Sequence, residues 1–252
     1  MATVSQGDLV ELEIEKFADK GKSLARVDGY VVFVEDAVPG DRIKAYIHRT
    51  KSSHAEAKID TLLAPSVLRV EPRCRYADTC GGCKWQHVDY EAQLDMKQQS
   101  VQEALDHHTD FAEVDVRPTI GSPKQFYYRN KMDFDFSADR WLTRDEIDSG
   151  KDFDTDFALG LHVPGNFFKV LDLQECHLHS ELSVRLVNGI RDFVKEQGWN
   201  PWDIRNQEGF LRHLVLRTGE QTGDCMVNLV TYGAPDDRGE DPDSEVDHER
   251  GG

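Results

Sequence analysis

The chain opens on strict alternation. Leu9, Glu11, Glu13 and Glu15 interleave with Val10, Leu12 and Ile14, the period-2 pattern of a strand with one face in a core. Further short runs follow at residues 24–27, 30–34, 42–48 and 55–63. Turn signals separate them, around Gly21, at Asp28 and Gly29, and at Pro39 and Gly40. Short strands joined by hairpin turns predict an OB-like β-barrel over residues 1–65. Pro65 and Pro72 then break the pattern. Asp89 stands where a helix cap belongs, and Tyr90, Leu94, Val101 and Leu105 recur near one helical face to about His107. Alternation returns at residues 126–136, with Phe126, Tyr128, Asn130, Met132, Phe134 and Phe136 on one face. Tyr127, Arg129, Lys131, Asp133 and Asp135 fall on the other. Residues 137–156 read as a loop or long hairpin connection. Strands are predicted at 157–162 and 167–173, around a turn at Pro164, Gly165 and Asn166. Ser180 caps a second helix to Gln197 with Leu182, Leu186, Ile190 and Phe193 on one side, and Gly198 just past its end. Residues 211–217 and 225–232 form a predicted hairpin. The expected fold class is α+β: the barrel, a mixed α/β central domain over residues 66–234, and an acidic, disordered tail over 235–252.

Composition narrows the function classes. At 252 residues there is room for one or two hydrophobic cores. No apolar run approaches membrane-spanning length, and the polar first residues show no signal region, so a cytoplasmic protein with no membrane partner is expected. Five cysteines, an odd number, argue against a disulfide framework. The net charge of −17 speaks mildly against nucleic acid, whose phosphates ask for a basic footprint. The acid is concentrated, however. Residues 235–252 carry eight acidic side chains and residues 139–156 seven, and setting both segments aside roughly halves the imbalance.

The densest chemistry lies at Cys74, Cys80 and Cys83, spaced x5 and x2, with Gly81 and Gly82 between the last two. Glycines without a Cβ let such a loop turn tightly enough for sulfurs to converge. Cys176 is the natural fourth ligand of a tetrahedral thiolate set, which suits an iron–sulfur cluster or a structural zinc. The x5-x2 spacing with a remote fourth cysteine fits iron–sulfur better than a zinc ribbon, and spacing alone leaves zinc open. Gln86 and His87, beside the loop, are expected to hold it by hydrogen bonding. Cys225, in an apolar run, is expected to be a buried core thiol.

The Cys-x5-Cys-Gly-Gly-Cys-x2-Gln-His pattern, followed by Tyr128, Arg129, Asn130 and Lys131 and the distant Cys176, resembles the RNA uracil-C5 methyltransferases. These are the ribosomal and transfer RNA 5-methyluridine enzymes with a TRAM domain and a 4Fe-4S cluster. The barrel resembles TRAM in Gly21, in Ala25 and Arg26, and in Pro39, Gly40 and Asp41.

The resemblance implies a 4Fe-4S cluster on Cys74, Cys80, Cys83 and Cys176. It implies RNA as partner, ribosomal RNA ahead of transfer RNA, with contacts from Tyr127, Arg129, Lys131, Arg212, His213, Lys22 and Arg26. Guanidinium and phenol groups can stack on splayed bases while an ammonium meets phosphate. In the family, a cysteine attacks uracil C6, C5 takes the methyl group of S-adenosylmethionine, and a base removes the C5 proton. That machinery belongs to a C-terminal Rossmann-like domain, and no Gly-x-Gly loop follows a strand and opens a helix here. The expectation is therefore the RNA-recognition and iron–sulfur half of such an enzyme. It would hold no catalytic or S-adenosylmethionine-binding residue, would be inactive alone, and could rely on a separate methyltransferase domain or chain. The alternative is a stand-alone iron–sulfur RNA-binding module.

Overall fold

The computed structural model describes residues 4–108 and 114–235. The predicted acidic tail therefore lies, but for its first residue, outside the described residues. Two compact units emerge: Met1–Asp78 with Cys83–Pro123, and Thr79–Gly82 with Lys124–Gly252.

The first unit is built on six strands: β1 (Leu9–Glu13), β2 (Lys16–Phe17), β3 (Lys22–Val27), β4 (Tyr30–Glu35), β5 (Arg42–Thr50) and β6 (His54–Ala64). Their order in the sheet is β1-β5-β6-β4-β3-β2. The two edge strands are consecutive in the chain, and Glu15 N–H donates to Leu24 O across 2.9 Å, so the sheet curls round on itself. Alternation does the rest. Leu12, Ile14, Val32, Val34, Ile43, Ala45 and Ile47 point inward and are buried together. One carboxylate ties the following segment to this sheet. Asp41, fully buried, accepts from the Val38 and Ser66 backbone N–H groups and from the Arg69 guanidinium at 2.7 and 2.8 Å. Helix α1 (Tyr90–His108) follows, with Asp89 accepting from the N–H groups of Glu91 and Ala92.

The second unit also holds six strands: β7 (Lys131–Ser137), β8 (Arg140–Trp141), β9 (Ala158–Val163), β10 (Asn166–Asp172), β11 (Leu211–Thr218) and β12 (Cys225–Thr231). They run in the order β12-β11-β7-β9-β10-β8. Helix α2 (Arg144–Asp148) interrupts the acidic connection, and α3 (Glu181–Glu196) packs on the sheet's inner face, where Val187 and Val194 join Phe134, Leu159, Leu214 and Leu216. Gly160 must be glycine: a Cβ there would stand 2.0 Å from the Leu171 carbonyl oxygen.

Several local expectations change. The acidic connection is ordered: β8 pairs in parallel with β10, and α2 starts with a capping box between Thr143 and Glu146. Helix α3 buries Ser183, Val187, Arg191 and Val194, while Leu182 and Phe193 are exposed. The reason is Arg191, which donates to Asp172 Oδ1 and to the carbonyls of Leu159 and Leu173 and so turns its own face inward. Cys225 is exposed, because β12 is the edge of its sheet. Residues 126–130 lie outside the strand. Tyr127 has φ 57°, and the Tyr127 and Arg129 N–H groups donate to the carbonyls of His177 and Leu178 instead of a sheet neighbour.

The expected fold class as a whole also needs correction. It set one small barrel beside a mixed domain organised round a four-thiolate cluster. The described residues instead form two six-stranded sheets, each organised round its own hydrophobic core.

Candidate functional site

All four proposed ligand cysteines are half-buried thiols. In the first unit, Gln86 links two of them: its Nε2 donates to Cys83 Sγ at 3.1 Å, and its Oε1 accepts from the Cys74 N–H at 3.2 Å. In the second unit, the Gly82 N–H faces Cys80 Sγ at 3.4 Å. Gly81 N–H donates to His162 O, and a Cβ on Gly81 would come within 2.6 Å of that oxygen, so the loop lies flat against β9. Cys176 packs at the margin of the second core. Gln86 joins Cys74 and Cys83 through its own amide. His87 sits instead near Arg69, Asp36 and Asp41 of the first unit; burial, then Arg69, pushes its pKa down against the pull of both carboxylates. Burial likewise raises Asp36.

The basic residues of the first sheet are largely answered by their own sheet. Lys22 lies 3.7 Å from Glu35 and 3.8 Å from Glu56, and Arg26 is paired with Glu15. Burial pushes Glu56 up, but Lys22, Lys51 and Arg49 around it bring its carboxyl below the ordinary range.

The second sheet also pairs several of its cations, such as Lys169 with Asp139 at 3.3 Å, but it sets Arg212 on an aromatic ring. On its outer face, register sets His213 of β11 opposite Asp135 of β7, and Asp135 opposite Gly160 of β9, two residues before His162. His213 Nδ1 stands 2.6 Å from Asp135 Oδ1, so the carboxylate, which can only accept, fixes a proton on that nitrogen. His162 Nε2 lies 3.4 Å from the other carboxylate oxygen and its ring stacks on Phe167 at 5.4 Å. Arg212 lays its guanidinium 4.9 Å above the Trp202 ring, and no described carboxylate forms a salt bridge with it. Trp202 in turn meets Tyr232 at 4.6 Å. Of the other predicted contact residues, Lys131 pairs with Asp133 at 2.7 Å, Tyr127 Oη lies 3.0 Å from His177 Nδ1, and Arg129 donates weakly to the Met132 sulfur. The structure thus brings Arg212 and His213 together in one cluster of the second unit. Lys22 and Arg26 lie in the first.

Sequence reasoning missed Phe167, Phe168 and Trp202. A signal was available, since two consecutive aromatics on one strand cannot both enter a core.

On the first sheet, residues 4–59 match the TRAM domain. The wider comparisons place the whole chain. An uncharacterized RNA methyltransferase of Chlorobaculum tepidum is 44% identical over 229 residues, 90% of this chain and 47% of that protein. Another from Porphyromonas gingivalis is 39% identical over 88% of this chain and 48% of its own length. The crystal structure of Pyrococcus abyssi tRNA (uracil-54, C5)-methyltransferase with S-adenosyl-L-homocysteine covers 90% of this chain with a TM-score of 0.63 and 27% identity, over 48% of that chain. The chain carries a TRAM domain, is similar over about nine-tenths of its length to proteins named RNA methyltransferases, and spans about half the length of the curated relatives it matches. Both sheets are therefore shared with a methyltransferase structure, which overturns the expected fold class in setting the chain apart from the methyltransferase fold. Among the described residues, no helix is long and apolar enough to cross a membrane.

Proposed function

We propose that this chain recognises RNA in an S-adenosylmethionine-dependent methylation of uracil at C5. The observation that carries the reading is the likeness, over 90% of the chain, to the Pyrococcus abyssi tRNA (uracil-54, C5)-methyltransferase. In this reading the sulfonium supplies the methyl group. This chain contributes what the reaction needs beforehand, a grip on a strand whose bases are unstacked. Arg212 and His213, with Arg129, Lys131 and Tyr127, contact the RNA from the second unit, and Lys22 and Arg26 from the first. Arg212 is the best placed: its charge is not spent on a carboxylate, and its plane already lies on an aromatic ring.

The cofactor reading belongs to the same proposal. Cys74, Cys80, Cys83 and Cys176 are the ligand set for a 4Fe-4S cluster. The donor chemistry suits it, because N–H groups directed at Cys80 and Cys83 are what thiolate ligands accept. When bound, the cluster would crosslink a long stretch of chain.

The test is a titration of single-stranded and duplex RNA into anaerobically purified protein, with iron and acid-labile sulfide assayed on the same sample. Single strands should bind more tightly, affinity should fall steeply with salt, and Arg212→Ala should weaken binding several-fold. No binding at low salt, or equal preference for duplex, would overturn the RNA reading. Zinc without sulfide would overturn the cluster.

A further inference from the structure

The outer face of the second sheet holds a cavity of about 110 Å³ beside the Asp135–His213 pair, walled by Phe167, Phe168, Trp202 and His162. Clefts that engulf a drug-sized ligand run to roughly 300–1,000 Å³. This one therefore has room for a single ring, with the rest of the ligand outside.

Its walls specify what kind of ring. Phe167 and Phe168 are 65% and 48% exposed, a large apolar area to leave in water on two adjacent residues. They meet edge to face at 6.0 Å, and Phe167 already carries a parallel ring, His162, at an interplanar angle of 11°. A planar guest can extend such a stack. The cavity also contains a carboxylate, Asp135, so a phosphate is repelled from the interior. A cation stands instead beside an aromatic ring at its edge, Arg212 over Trp202; Arg205 lies over Phe168 at 5.3 Å with its charge answered by Asp139 at 3.1 Å. A neutral planar ring inside and a negative backbone outside is the pattern of one nucleotide in a strand.

We propose that this cavity is a subsite for one unpaired nucleobase of the bound RNA, stacked on Phe167 and flanked by Phe168, with the adjoining backbone phosphate near Arg212. The inference rests on the RNA reading above and adds to it a position where a base leaves the stack. His213, its Nδ1 proton held by Asp135, presents Nε2 as an acceptor for a base N–H when the ring is neutral.

The test compares wild type, Phe167→Ala and Phe168→Ala, both exposed positions whose truncation spares the core. Each is titrated with a short single-stranded uridine oligonucleotide and with the same sugar–phosphate chain lacking its bases. Loss of one stacked base should weaken oligonucleotide binding by about tenfold in Phe167→Ala, less in Phe168→Ala, and leave the baseless chain unchanged. Equal loss on both ligands would mean that the aromatics act through structure, and the subsite falls. Unchanged affinity in both variants, with Arg212→Ala still weakened, would sink the subsite and leave the RNA reading standing. Failure of the wild type to bind either ligand would sink both. Free uridine competing at the oligonucleotide's own concentration would make this a small-molecule pocket and overturn the proposal.

Discussion

Each sheet has a carboxylate–guanidinium pair with one member deep in the protein, and the two pairs invert each other's roles. In the first sheet the acid is inside: Asp41 is completely buried, while the Arg69 side chain is 19% exposed. In the second the base is inside: Arg191 is 5% exposed and its partner Asp172 11%. The difference follows from what each must satisfy. Asp41 collects N–H donors from two turns, which a carboxylate can accept from several directions. Arg191 serves two carbonyls and a carboxylate at the end of β10, which only a fork of donors can do. Neither pair contributes mainly by its attraction; removing the buried member strands the groups around it.

The largest test of this inversion is Arg191→Met. It leaves Asp172 and the Leu159 and Leu173 carbonyls without their donor and should cost about 3–5 kcal/mol. Hydrogen exchange followed by mass spectrometry should show that cost in peptides from β7 to β11 and not in those from β1 to β6. Equal loss in both sets would mean that the two units open as one, and the comparison would dissolve. Asp41→Asn is the second test and the milder one. The amide keeps one acceptor and loses its charge, so about 1–3 kcal/mol should disappear from the first sheet alone.

The smallest effect is on pH. Burial lowers the pKa of His179 in the second unit, and burial with Arg69 lowers that of His87 in the first. Both are therefore neutral in the fold at a pH where the unfolded chain would take up protons. Stability is then full above about pH 6.5 and falls as pH drops from there toward the folded-state values. Asp41 responds only further down. Burial raises it, but Arg69 and the N–H groups of Ser66 and Val38 bring its net pKa below 3.8, so its contribution is lost as pH falls through that lower value. Thermal melts between pH 8 and pH 5 should show a decline that His87→Gln reduces. A flat profile would remove both histidines from the account.

How much of this could be read in the sequence depended on whether a residue acts locally. Asp89 and Ser180 announced their helices because a cap is satisfied within three residues. The alternation that begins at Leu9 likewise needed only its neighbours. Arg191 misled, since its partners at Leu159, Asp172 and Leu173 are remote in the chain, and a pattern scan counts an arginine as surface. Cys225 misled for a related reason: its run looks like a core strand, yet position in the sheet decides burial, and β12 has a neighbour on one side only. For the candidate site, the resemblance pointed to Arg212 and His213, and both line one cavity. Phe167 and Phe168 left a signal in their adjacency on one strand, while Trp202 left none, because a separate segment of chain must come to meet them.

Strand β12 has one further consequence. From Cys225 to Thr231 it carries no charged side chain, and Met226 and Val227 are nearly half exposed. Natural edges discourage pairing with lysines, prolines or bulges. This one presents an uncharged ladder of hydrogen-bonding groups, with an exposed thiol at its first residue. Among the described residues, an added strand would find there seven residues of backbone with no side-chain charge to turn it away.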